Sequence, residues 1–321
     1  MANSEIIDVH AHLYPEGCFT EVLKDRSDFK LVDGPRGRTL VYRGSHVMST
    51  PAGQDDLEER LASMDAAGID LAVLSVGAVN VGWAGARDAA AARVINDGLA
   101  AVCREHPSRI RFVAVLPCTS ENEMIHELDR ALGLGASGVG IATRIGDFEL
   151  CAAEVRHFWR EMHRRKLMVL VHPTYPCDGL QNDPGTFLAV GYPGETAMAA
   201  TKLALAGVLA ECPDVKIVWS HLGGSLPMIL DRIDRGYQRF SSCPEPPSFY
   251  LRRCYYDTVC THAPALACAR ATWGIDRLVF GTDVPHVANA EKETVAALRS
   301  TGWSAAELEN VFAGTARKLM G

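Results

Sequence analysis

The segment IIDVHAH, residues Ile6 to His12, reads as a buried β-strand that ends in two histidines. Ile6, Ile7 and Val9 are β-branched and apolar, which suits a pleated, covered surface. His10 and His12 are two positions apart, so in a strand they project from one face toward one spot. Imidazole is the commonest protein metal ligand, and two on one strand make half of a four- or five-coordinate site. Leu13, Tyr14, Pro15 and Gly17 then begin a loop, which places the pair at the C-terminal end of the strand. The pair alone is a weak signal, and two incidental histidines account for it more readily. The decision rests on whether later strands end in matching ligands.

Working outward, the chain alternates apolar runs with helical patterns. A long irregular stretch, Leu13 to Gln54, contains RTLVYRG (Arg38 to Gly44), which fits a short hairpin strand. A connection this long inside a compact domain is usually functional. Asp55 caps a predicted helix to Ala67, stopped by Gly68. Strands are expected at Ile69–Val76, Arg109–Pro117, Ser137–Ala142, Leu167–His172, Val215–His221, Cys254–Val259 and Arg277–Asp283. Helices are expected at Arg87–Glu105, Glu121–Leu134, Glu149–Arg165, Thr196–Glu211, Leu226–Phe240, Pro264–Trp273, Ala290–Arg299 and Ser304–Met320. The strands are near-continuous apolar runs, as in a parallel sheet covered on both faces. Eight such units in 321 residues predict a single-domain (β/α)₈ TIM barrel, residues 1–321, with an irregular insertion after strand 1. The other arrangement is an open doubly wound sheet. No GxGxxG follows the first strand, which argues against its dinucleotide-binding version.

Composition narrows the function. Net charge is −7 without a basic cluster, so no nucleic-acid partner is expected. No apolar run reaches the length of a membrane span, and MANSEIIDVH lacks the regions of a signal peptide. The ten cysteines form no CxxC, so the chain reads as a reduced, cytoplasmic protein whose thiols are mostly small buried hydrophobes. Cys177, in a loop beside a candidate ligand, reads as a bystander.

In a (β/α)₈ barrel, catalytic side chains stand at the C-terminal ends of the strands. Strand 1 ends in His10 and His12, strand 5 in His172, strand 6 in His221 and strand 8 in Asp283. Each follows an apolar run and precedes a loop containing Gly or Pro. Five such residues converging on one barrel mouth predict a metal site.

The motifs IDVHAH, VHP (171–173), GYPGET (191–196), SHLGG (220–224), CPEPPSFY (243–250), YYDT (255–258) and GTDVPH (281–286) resemble the amidohydrolase superfamily. The branch they resemble most is typified by 2-amino-3-carboxymuconate-6-semialdehyde decarboxylase. The resemblance implies metal ligation by His10, His12, His172 and Asp283, with His221 as a non-ligating base. Three neutral nitrogens and one carboxylate suit one Zn²⁺ with a water in an open position, and other divalent ions fit too. Asp283 can also shuttle a proton between water and substrate. Many binuclear relatives bridge two metals with a carboxylated lysine on strand 4. No lysine occurs between Lys30 and Lys166 here, so one ion per chain is expected. The likeness also implies that Arg43 and Arg232 bind a substrate carboxylate, the second from a neighbouring subunit of a homodimer. Fixed guanidinium forks give bidentate binding. A surface salt bridge for Arg232 and a solvated loop charge for Arg43 are the other readings. His262 and His286 follow strands 7 and 8 and face the mouth, as substrate contacts or as structural hydrogen-bonding groups. His46 lies in the long loop within reach of the site. Asp257 reads as structural. His106, His126, His157 and His163 read as helix-surface residues.

The expected reaction is metal-dependent, non-oxidative decarboxylation of a small unsaturated or aromatic carboxylic acid by way of a metal-activated water. Hydrolysis of an amide or lactone needs the same ligands and stays open, and a non-catalytic binding barrel is the distant alternative. Thr174 stands where the decarboxylase branch has tryptophan, which bears on the substrate and leaves the metal chemistry in place.

Overall fold

Parallel strands carry the site, and helices cover them. The structure, a computed structural model, describes residues 5–34, 37–51, 57–118, 120–174, 184–241, 243–286 and 289–321. Its strands are β1 (Ile7–His12), β2 (Phe29–Gly34), β3 (Gly37–Tyr42), β4 (Ser45–Pro51), β5 (Leu71–Ser75), β6 (Ile110–Phe112), β7 (Val139–Ala142), β8 (Arg144–Ile145), β9 (Phe148–Glu149), β10 (Met168–His172), β11 (Lys216–Trp219), β12 (Tyr255–Asp257) and β13 (Leu278–Val279).

Two parallel sheets run in the orders β1-β5-β6 and β13-β12-β11-β10-β7. Parallel bridges pair Ala114 with Val139 at one seam and Ala11 with Val284 at the other. Hydrogen bonds cross both seams: Gly140 donates to the Ala114 carbonyl at 2.8 Å, and Val9 to the Phe280 carbonyl at 3.0 Å. Ile7, Val9, Val73, Val113, Met168, Leu170, Val218 and Val279, drawn from both sheets, meet in one buried cluster closed from below by Ala313, Ala316 and Leu319. A larger apolar cluster lies between the strands and the helices. This is the layered α/β arrangement that the strand runs predict.

The stretch after β1 is more ordered than expected. It holds a helix, Cys18–Leu23, and the antiparallel meander β2-β3-β4. Phe29 faces Tyr42 across β2 and β3 with ring centroids 4.7 Å apart, and the Trp83 ring lies 4.9 Å from Phe29. Leu31 and Val32 on β2 stay exposed, so the alternation that marks a strand is blurred there. A second hairpin, β8-β9, was not expected either.

Other differences trace to glycine. The helix expected over Thr196–Glu211 is two helices, Tyr192–Leu205 and Val208–Glu211, separated at Gly207 with φ 79°. The helix expected to reach Phe240 spans Leu226–Asp234 and stops before Gly236, φ 72°. Left-handed glycines end helices in this way. Asp55, the expected cap, lies outside the described residues, and its helix runs Leu57–Ala67. No helix among the described residues is long and apolar enough to cross a membrane.

Candidate metal centre

The strand ends bring His10, His12, His172, His221 and Asp283 together. His12 and His172 are the last residues of β1 and β10. His221 follows β11 in a tight turn, and Asp283 lies beyond β13 beside the Ala11–Val284 bridge. His221 and Asp283 both adopt positive φ, 55° and 59°. Non-glycine residues accept that conformation at a cost of about 1 kcal/mol or more, and such outliers concentrate at functional sites.

The hydrogen bonds set the tautomers. His10 Nδ1 donates to Asp257 Oδ2 at 2.6 Å, because a carboxylate oxygen only accepts. His172 Nδ1 donates to the Pro173 carbonyl at 2.7 Å. Ser75 Oγ donates to the Ala11 carbonyl at 3.4 Å and accepts from His12 Nδ1 at 2.8 Å. His10 and His172 therefore carry their proton on Nδ1, and all three rings turn Nε2 inward. His10 Nε2 and His12 Nε2 stand 3.1 Å apart. His172 Nε2 is buried with no hydrogen-bond partner among the described residues. Asp283 Oδ1 lies 2.7 Å from His12 Nε2, 3.2 Å from His10 Nε2 and 3.5 Å from His172 Nε2. Its Oδ2 turns the other way, 3.2 Å from His221 Nε2.

Facing lone pairs around a carboxylate oxygen demand a positive charge, and this donor set meets the test for a divalent cation. Ligand atoms of His10, His172, His221 and Asp283 all lie within 4.8 Å of one another, as do those of His12, Asp283 and His286. Metal-ligating histidines normally donate their other ring N–H to a carboxylate, carbonyl or similar acceptor, as all three do here. The electrostatics show the same demand for positive charge. Burial presses His10 toward its neutral form, but the Asp283 and Asp257 carboxylates outweigh it and raise its pKa to about 10, so a divalent cation at Nε2 would take the place of that ring's second proton. Burial lowers His12 well below the usual imidazole range and His172 to about 4. Burial works to raise Asp283, yet the charge of His10 and the ring nitrogens of His12 and His172 gathered around it keep it well below the usual carboxylate range.

The other candidates are scattered. His286 borders the cluster, its ring centroid 5.3 Å from that of His12; Tyr14 Oη lies 3.0 Å from its Nε2 and the Ser49 carbonyl 3.2 Å from its Nδ1. Arg43, φ 47°, is exposed at the β3–β4 corner, 4.0 Å from Asp28, with its guanidinium 5.1 Å from the Tyr42 ring centroid. Arg232 is exposed on the helix Leu226–Asp234, and His262 is exposed where the helix Ala263–Trp273 begins. The His46 side chain and Cys177 lie outside the described residues.

Behind the ligands stand Asp257, which the sequence marks only as structural, and two residues that sequence reasoning passes over, Ser75 and Arg60, whose Nη2 donates to the His12 carbonyl at 2.6 Å. Ser75 and Asp257 also end parallel strands, and that position was the one signal available. Thr174 does not face the site with its hydroxyl, which donates to the Ala78 carbonyl at 2.7 Å.

Parallel strands with a His/Asp cluster at their C-terminal ends define an α/β protein built to gather cation ligands. The chain belongs to the amidohydrolase family, whose pattern matches residues 7–321. It is 29% identical over 240 residues to a 2-amino-3-carboxymuconate-6-semialdehyde decarboxylase of Dictyostelium discoideum, a match spanning 72% of this chain and 67% of that one. It is 28% identical over 291 residues to a gamma-resorcylate decarboxylase of Rhizobium sp., covering 83% of this chain and 84% of the relative. Among solved structures, the apo form of Metarhizium anisopliae IDCase superposes with a TM-score of 0.85 at 23% identity, covering 100% of this chain and 98% of that one. A dihydroxybenzoic acid decarboxylase from Polaromonas sp., solved with manganese and 2-nitroresorcinol, superposes with a TM-score of 0.76 at 22% identity, covering 99% and 97%. At these identities the structural likeness is one of fold.

Proposed function

We propose that this chain is a metal-dependent, non-oxidative decarboxylase of a small unsaturated or aromatic carboxylic acid. The observation that carries the reading is the division of labour at Asp283: Oδ1 faces the Nε2 atoms of His10, His12 and His172, and Oδ2 faces His221. This favours His10, His12, His172 and Asp283 as ligands of one ion, with His221 outside the ligand set. A divalent ion there, Zn²⁺ by its donor set, would supply Lewis-acid charge stabilisation and acidify water. Manganese in the Polaromonas protein supports a divalent ion of this kind. The named decarboxylases among the relatives support the reaction.

Decarboxylation needs a proton on the carbon that bears the carboxylate. Carbon dioxide then leaves, and the electron pair of the broken C–C bond stays with the substrate. His221 and Asp283, 3.2 Å apart, form the relay that takes a proton from water and passes it to that carbon. Arg43 and Arg232 bind the substrate's carboxylates, and His262 and His286 line the mouth. Arg232 shares its helix with Met228, 78% exposed, which supports a homodimer in which Arg232 serves the neighbouring site. Hydrogen bonds across both seams support one closed (β/α)₈ barrel domain, with the β2-β3-β4 meander as its insertion after strand 1. The nine described cysteines form no disulfide, which supports a cytoplasmic enzyme.

The test is a panel of dicarboxylic and aromatic acids, amides and lactones, with released carbon dioxide measured separately from released amine and newly formed acid. The expected result is carbon dioxide release that a chelator abolishes and Zn²⁺ or Mn²⁺ restores. New acid or amine without carbon dioxide would make the chain a hydrolase. Binding without turnover would make it a binding protein.

A further inference from the structure

Asp257 ends β12 fully buried, with both carboxylate oxygens committed. Oδ2 accepts from His10 Nδ1 at 2.6 Å. Oδ1 accepts from the backbone N–H of His221 at 2.7 Å and of Val259 at 3.1 Å. One side chain thus grips a ring on β1 and the backbone of the turn after β11. That turn holds His221 at φ 55° and Leu222 at φ 59°, two non-glycine residues in the left-handed region. Such strained backbone persists only where its surroundings over-determine it. The pair has little room to drift: a Cβ on Gly281 would lie 2.9 Å from His10 Cβ and 3.1 Å from Asp257 Cβ.

We propose that Asp257 is a positioning residue that fixes the metal-binding tautomer of His10 and the place of His221 at the same time. The proposal rests on the metal reading above and deepens it. Only a carboxylate meets both demands, because three N–H groups point at its two oxygens and none of them accepts. An asparagine in its place has one oxygen. Turned toward the backbone, that oxygen leaves the amide NH₂ against His10 Nδ1, which forces the ring proton onto Nε2, where the cation belongs. Turned toward His10, it sets the NH₂ against the two backbone N–H groups and releases the His221 turn. Ser75, the corresponding partner of His12, has a hydroxyl that both donates and accepts, so it does not impose this double constraint.

The experiment compares full-length wild type with Asp257→Asn in two readouts. Zinc affinity, measured by chelator competition, should fall about 10- to 100-fold, the usual effect of losing a ligand's hydrogen-bond partner. At saturating zinc, kcat should fall at least about tenfold with KM little changed, since His221 is displaced while substrate contacts remain. Zinc affinity and kcat both unchanged in a folded variant overturn the proposal, even if its melting temperature drops. A wild type that holds no metal overturns the metal reading itself, which keeps the two failures apart. If the variant does not fold, zinc-loaded wild type still decides. The Nδ1 proton of His10, held by a carboxylate, should resonate downfield of the Nδ1 protons of His12 and His172 in ¹H–¹⁵N spectra, and any other order overturns the proposal.

Discussion

Asp283 and His221 face each other at 3.2 Å, yet only Asp283 also touches the Nε2 cluster. His221→Asn should therefore keep its metal and lose about 10²-fold or more in kcat, the usual scale for a general base. Metal loss in that variant would make His221 a ligand. Mixing it with Arg232→Ala extends the test. If Arg232 acts across a dimer, a heterodimer holds one intact site and activity returns; if it acts within its own chain, mixing exchanged subunits restores nothing. The five site residues were legible because each follows an apolar run at a strand end. Asp257 was legible only as a structural acid, because its partners lie 247 and 36 residues away and no sequence pattern links them. The exposed positions of Arg43 and Arg232 lay beyond any sequence pattern, since loop and helix-surface charges look alike whether or not a ligand meets them.

At the scale of elements, the parallel strands were legible from their apolar runs, but their lengths were not. Expected strands of seven to nine residues at Arg109–Pro117 and Arg277–Asp283 shorten to Ile110–Phe112 and Leu278–Val279. Pairing continues past the ladders as single bridges, which sequence periodicity does not resolve. Gly223 and Gly224 allow close packing beside His221, since a Cβ on Gly223 would lie 2.7 Å from the Tyr256 ring. Gly224 has φ 64° and ψ −126°, and a Cβ on it would lie 2.0 Å from the Pro193 carbonyl oxygen. Gly224→Ala should destabilise the protein by about 2–4 kcal/mol, combining a conformation hostile to L residues with a backbone clash. The check is the denaturant midpoint, and a variant within about 0.5 kcal/mol of wild type would contradict this packing.

Across the whole molecule, β1, β10 and the segment beyond β13 supply the ligand candidates from the beginning, middle and end of the chain. Local segments therefore cannot assemble the site, which depends on the parallel topology. The central claim is that this topology gathers one cation on His10, His12, His172 and Asp283. Anomalous diffraction from crystals of the zinc-loaded protein, recorded on both sides of the zinc edge, tests it most directly. The account predicts one anomalous peak per chain, within about 2.0–2.2 Å of Nε2 of the three histidines and of an Asp283 oxygen. No peak there, a second strong peak beside it, or a peak bonded to His221 in place of His172 would contradict it.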